Sequence, residues 1–132
     1  MELLSKDEFS DLMEARESPC VSIYIPTHKA GKPVEQNPIR LKNALREALD
    51  KAVAMGIRAT DAEEMLSPAQ ALVADGRFWR SQRDGLALFL APGFSRHYRL
   101  PIEFEPLVAV SERFHIKPLL PMLSGDGKFY VL

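Results

Sequence analysis

One cysteine, Cys20, stands in the whole chain, which excludes an intramolecular disulfide framework and any cysteine pair at metal-ligand spacing. No apolar run approaches the roughly 20 residues that cross a bilayer; Gly85-Leu-Ala-Leu-Phe-Leu-Ala-Pro92 is typical of the longest. The opening Met1-Glu-Leu-Leu-Ser-Lys-Asp7 is acidic where a secretory signal carries a basic region followed by an apolar one. Histidine is scarce, and His28, His97 and His115 lie far apart with no Cys or Asp at ligand spacing, so a zinc site is not expected. The formal charge of −1 and pI near 6.3 lack the surplus of cations with which a protein coats nucleic acid, so any anion site has to be local. Together these absences predict a cytoplasmic protein with no membrane partner, no metal and no cofactor.

What is present fits one domain: 132 residues with 46% apolar content can bury one core of ordinary size. Ser5 and Glu8 have capping-box spacing and open a first helix over about 5–16. Cys20-Val-Ser-Ile-Tyr-Ile25 is β-branched and aromatic and stops at Pro26, so it reads as a strand; the polar stretch Thr27 to Gln36 reads as a loop. Asn37 as N-cap, Pro38 in the first turn and Gly56 past the end bracket the clearest helix, with Leu41, Ala44, Leu45, Ala48, Leu49 and Ala52 on one face. A further helix starts at Thr60 with Glu63 and is expected to kink or restart at Ser67-Pro68 before Gly76. Leu86–Leu90 is apolar on both faces, as a central strand covered twice would be. Pro92-Gly93 is a turn, Arg96–Leu100 and Leu107–Val110 read as strands, and Phe114–Leu123 as a short helix. The fold class expected is α/β (α+β), with a mixed, roughly four-stranded sheet between helix layers.

Few residues offer catalytic chemistry. There is no Gly-x-Ser-x-Gly elbow, and Cys20 lies in mid-strand. Gly125-Asp-Gly-Lys128 lacks the spacing of a phosphate loop and precedes the apolar Phe129-Tyr-Val-Leu132. Glu103 and Glu105 would share a face if extended, but their alternation with Ile102 and Phe104 reads as a half-exposed strand; hydrolysis would need both carboxylates in one pocket. The chain is therefore expected not to be an enzyme.

A binding site is better supported. Between 28 and 46, Lys29, Lys32, Arg40, Lys42 and Arg46 face the single acid Glu35, with His28 and Asn37 alongside. Cations in the first turns of a helix oppose its macrodipole, and here Glu47 and Asp50 follow them instead of preceding them. The pattern suits an external anion, with phosphate held by these side chains near the helix start. The alternative is an ordinary solvated face held by i,i+4 pairs Arg46/Asp50 and Glu47/Lys51. A second basic stretch, Arg77, Arg80 and Arg83 around Phe78 and Trp79, offers arginines and an aromatic that stack on bases, although such a Trp is more often a core or interface anchor.

Five segments stand in order: Cys20-Val-Ser-Ile-Tyr-Ile-Pro26, Asn37-Pro-Ile-Arg-Leu-Lys-Asn43, Asp84-Gly-Leu-Ala-Leu-Phe89, Ile102-Glu-Phe-Glu-Pro106, and Arg113-Phe-His-Ile-Lys-Pro-Leu-Leu120 with Asp126-Gly-Lys-Phe129. In that order they resemble the N-terminal domain of the class-1 peptide release factor of archaea and eukaryotes, and more closely the bacterial release-factor-like proteins related to it, over about residues 18–132. The resemblance implies a four-stranded sheet between pairs of helices and a module that binds the ribosome or RNA in termination or rescue. It sets Ile39 and Arg40 at the Ile and Lys positions of the family's Asn-Ile-Lys-Ser motif, with Leu41 in place of Ser. The Gly-Gly-Gln hydrolysis motif belongs to the family's next domain, and this sequence has no Gly-Gly. The resemblance further implies a domain over 1–127, with 128–132 the first strand of a following domain, so that C-terminal domains of a longer parent are expected partners. A homodimer, from a structural or oligomerisation module without RNA contact, is the competing expectation.

Overall fold

The computed structural model describes Asp7 and residues 10–12, 19–27, 36–80, 82 and 84–122. Most of the expected first helix, the loop before Gln36 and the expected strand 128–132 lie outside the described residues; Asp7 and residues 10–12 are helical. In chain order the elements are β1 (Cys20–Pro26), α1 (Gln36–Ala54), α2 (Ala59–Val73), α3 (Gly76–Arg80), β2 (Gly85–Ala91), β3 (Phe94–Leu100), β4 (Leu107–Ser111) and a 3₁₀ helix, Lys117–Met122. The α/β class and the four strands agree with the sequence reading.

The strand order is β3-β2-β1-β4, and every ladder is antiparallel where a mixed sheet was expected. The reason lies in the connections. A single crossover helix returns the chain to the start of the previous strand and gives a parallel pair. Here α1 runs out and α2 runs back, so β2 begins beside the end of β1, with Gly85 opposite Pro26. Pro92-Gly93 then turns β2 directly into β3, Gly93 taking a φ of 71° that residues with a Cβ rarely adopt.

Strand alternation divides the core in two. Val21, Ile23, Ile25, Leu86, Leu88 and Leu90 face α1 and α2, which bury Leu41, Leu45, Ala48, Leu66 and Ala69 against them. Cys20, Tyr24, Ala87, Phe89, Tyr98 and Leu100 face the other way, under Leu12, Phe104, Phe114 and Leu119. On that second side β1 side chains hold a segment that pairs with no strand. Ser22 Oγ accepts the His115 N–H at 2.8 Å, and the Tyr24 hydroxyl donates to the His115 carbonyl. Burial pushes both the Tyr24 phenol and the Cys20 thiol above their ordinary pKa values.

The expected restart at Ser67-Pro68 does not occur: α2 is one helix from Ala59 to Val73 with Pro68 inside it. Proline lacks the N–H that would bond the carbonyl four residues back, here Glu64. Ser67 Oγ donates to that same carbonyl at 2.8 Å, on the solvent side of the helix. Ser67→Ala is therefore expected to lower stability by about 1 kcal/mol in the parent chain. In a Pro68→Ala background, where the alanine N–H is free to bond the Glu64 carbonyl, it should cost almost nothing; equal losses in the two backgrounds, measured by urea unfolding, would refute the substitution of one donor for the other.

Candidate nucleic-acid interface

α1 carries the cationic residues singled out by charge, and its geometry separates them into two groups. The helix has no acidic residue in its first turn, and Leu41, Ala44, Leu45, Ala48 and Ala52 fix its buried face. At about 100° per residue, Arg40 and Lys42 project roughly 160° apart, whereas Lys42 and Arg46 share a face.

Arg40 lies on the flank toward β4. It is half-buried and its Nη1 reaches the carbonyl of Pro26 at 3.4 Å, a long hydrogen bond that leaves most of the guanidinium's donors uncommitted to it. It lines a groove of about 480 Å³ with Pro26, Asn43, Glu47, Leu107 and Val108. Farther along this flank Lys51 pairs with Glu47 at 2.9 Å and donates to the Val108 carbonyl of the edge strand β4 at 2.7 Å. Lys51 and Glu47 are thereby committed to the fold.

Lys42 and Arg46, on the other flank, are exposed. The i,i+4 pair Glu47/Lys51 forms, but Arg46 and Asp50 do not pair, and neither Lys42 nor Arg46 has an ion-pair partner among the described residues. Asn37 does not join them. It is fully buried, one residue inside a helix that already begins at Gln36, so its side chain belongs to the packing of the helix start and does not meet solvent. His28, Lys29 and Lys32 lie outside the described residues.

Trp79 likewise faces inward. It is 8% exposed, its ring meets Phe78 edge-on at 4.7 Å, and Nε1 donates to the carbonyls of Leu72 at 2.8 Å and Val73 at 3.2 Å. These carbonyls close the C-terminus of α2, where Leu72 also accepts the Asp75 N–H at 3.1 Å, so the indole serves as a cap and core anchor and offers no face for a base. Arg77 and Arg80 stay exposed on the outer side of α3, and Arg83 lies outside the described residues.

The fold adds a residue that linear reading did not select. Arg99 of β3 stacks its guanidinium over Phe78 at 4.7 Å and donates from Nη2 to the Phe78 carbonyl at 3.2 Å, while His97 meets the same ring at 5.1 Å. Its only signal in the sequence is the polar alternation Ser95, His97, Arg99 on one face of a strand, a pattern that usually means solvent.

Nothing among the described residues groups three or more potential metal ligands. Glu103 and Glu105 are exposed, sit between β3 and β4 and not in a strand, and line neither of the two grooves described here. No helix among the described residues is long and apolar enough to cross a membrane. Comparison with protein-family models finds none that matches the chain, and comparison with curated proteins finds no significant match.

Proposed function

We propose that this chain is a non-catalytic RNA-binding module that contacts the phosphate backbone of ribosomal RNA through α1, as the N-terminal part of a bacterial release-factor-like protein acting in termination or rescue. One observation carries the reading. Lys42 and Arg46 are held side by side, exposed and without acidic partners among the described residues, on a helix that satisfies its other charge pair. Four residues apart on one helix face, Lys42 and Arg46 are a like-charged pair that raises the free energy of the isolated domain slightly, and a phosphate between them would remove that cost. Arg40 adds a third contact on the β4 side, and Lys29, Lys32 and His28 stand as further candidates in the preceding segment. Such contacts position a protein on RNA without reading sequence. The test is salt-dependent binding to ribosomal subunits by the parent chain and by an Arg40→Glu/Lys42→Glu/Arg46→Glu variant.

A second reading, a docking or oligomerisation module without RNA contact, has one observation in its favour: Val53 and Met55 are 45% and 50% exposed at the end of α1. On that reading a dimer persists in high salt and Val53→Ser/Met55→Ser dissociates it. A monomer by sedimentation across the salt range removes this alternative.

A further inference from the structure

The sheet has two chemically different ends. At one, Cys20 pairs with Ser111 and the β2–β3 turn closes at Ala91 and Phe94. The neighbouring groove of about 830 Å³ is lined by Pro19, Asp61, Glu64, Met65, Pro92 and Phe94 among others, with two carboxylates and no cation in its wall. At the other end Pro26, Gly85 and Leu100 stand in register. There α1 begins, with Arg40 on the Pro26 carbonyl, and there α2 finishes and hands the chain to α3. The cations gather at this second end on the helix-layer side: Arg40 on the β4 flank of α1, Lys42 on the opposite flank of the same helix, Arg77 and Arg80 on α3, and Arg99 anchored to Phe78 beside them. Two acids follow α2 at this end: Asp75 is occupied as a helix cap, its Oδ1 accepting the backbone N–H groups of Arg77 at 3.0 Å and Phe78 at 3.3 Å, and half-buried Asp84 precedes Gly85, its carbonyl accepting the Thr27 N–H at 3.1 Å. Glu103 and Glu105 are at this end too, but on the connection whose Ile102 and Phe104 pack into the opposite core, away from the helices.

We infer that Arg77 and Arg80 form a second RNA-backbone contact, so that RNA lies across the helix-layer side of this end of the sheet, from Arg40 on the β4 side, past Lys42 on the far flank of α1, to α3 on the other. This rests on the RNA-binding reading of α1 and extends it. Four strands put the outer two about 14 Å apart, at three spacings of roughly 4.8 Å, so the two contacts engage different phosphates. Neither Arg77 nor Arg80 has an ion-pair partner among the described residues, and the Phe78 and Trp79 rings between them fix α3 against β3 and the end of α2. At the far end Asp61 is paired with Arg58 at 3.2 Å and Arg96 stacks over Phe94 at 4.7 Å, so the charges there are largely matched by each other.

The experiment is a potassium chloride series of binding to purified ribosomal subunits with the full chain, an Arg77→Gln/Arg80→Gln variant, the α1 triple variant and the combination. Each phosphate contact contributes about 0.7–0.9 to the slope of log K against log salt, so the α3 variant should lose roughly 1.4–1.8 from the slope. An Arg77→Lys/Arg80→Lys variant should recover it, and the combined variant should show both losses added. Wild-type slope and affinity in the α3 variant, with the α1 variant impaired, would overturn this inference and leave the α1 reading standing; it would also be the outcome if the arginines served an acidic protein. No change in either variant removes both. A loss confined to the α3 variant overturns the spanning contact and the α1 reading with it.

Discussion

Gly85→Ala is expected to lower the stability of the chain by about 3 kcal/mol, at the upper end of what overpacking a core costs. A Cβ at this position would lie on the carbonyl oxygen of Ile102 and 2.5 Å from Cδ2 of Phe104. The Phe104 ring has little room to withdraw. Phe104 is 4% exposed and stacks edge-on against Tyr24 at 5.0 Å, and Gly85 itself is paired with Pro26 on one side and Leu100 on the other. The requirement is close approach and not a left-handed backbone, since the positive-φ glycines described are Gly56 and Gly93. Urea unfolding reads the change as a lower midpoint at unchanged slope. A variant within about 0.5 kcal/mol of the parent would show that the 102–104 connection is free to move, since surface changes are of that size. The same contact explains why an Asp-Gly pair opens β2: the connection from β3 to β4 crosses over this strand's first residue.

The charge-reversal variant Arg40→Glu/Lys42→Glu/Arg46→Glu is expected to weaken binding to ribosomal subunits by roughly a hundredfold or more near physiological salt. Three phosphate contacts at about 1 kcal/mol each amount to about 3 kcal/mol, and every 1.4 kcal/mol is roughly tenfold. Reversal adds repulsion to that loss. The slope of log affinity against log salt should fall by roughly 2–3, one step of about 0.7–0.9 for each contact removed. Lys42 and Arg46 are exposed and have no ion-pair partner among the described residues, so their replacement leaves the packing of α1 intact. Arg40→Glu gives up the hydrogen bond to the Pro26 carbonyl and adds a carboxylate to the groove that holds Glu47, so urea unfolding accompanies the binding series, and a folded variant that binds less is the expected result. Unchanged affinity would remove the RNA reading. A loss of affinity with an unchanged salt slope would show that the three residues act by some route other than phosphate contact.

Much of the element plan was legible because it follows from local rules. The stripe from Leu41 to Ala52 has a period that only a helix buries, and Leu86–Leu90, apolar on both faces, fits the centre of the sheet, where all of β2 is buried. Pro68 misled because a proline in mid-helix normally leaves a carbonyl unsatisfied; that Ser67 would turn back to serve it depends on a rotamer choice outside any propensity. Asn37 and Trp79 misled in a similar way. Their residue types suit a cap or a stacking platform, but whether a polar or amphipathic side chain meets solvent depends on what the rest of the chain packs over it.

The sequence by itself determined where charge accumulates and most of the helices and strands, the short α3 (Gly76–Arg80) excepted, because charge counts and apolar periods are properties of neighbours along the chain. Tertiary structure alone decided how those segments meet. Two helices running out and back along one sheet face made every ladder antiparallel and carried α3 to the same end of the sheet as the start of α1. That arrangement placed Arg99, distant in sequence, against Phe78, split Arg40 from Lys42 and Arg46 across a helix, and left the acids of α2 at the opposite end. Side-chain direction and strand register are global properties, fixed only when both faces of the sheet are covered, and the site proposed here consists of them.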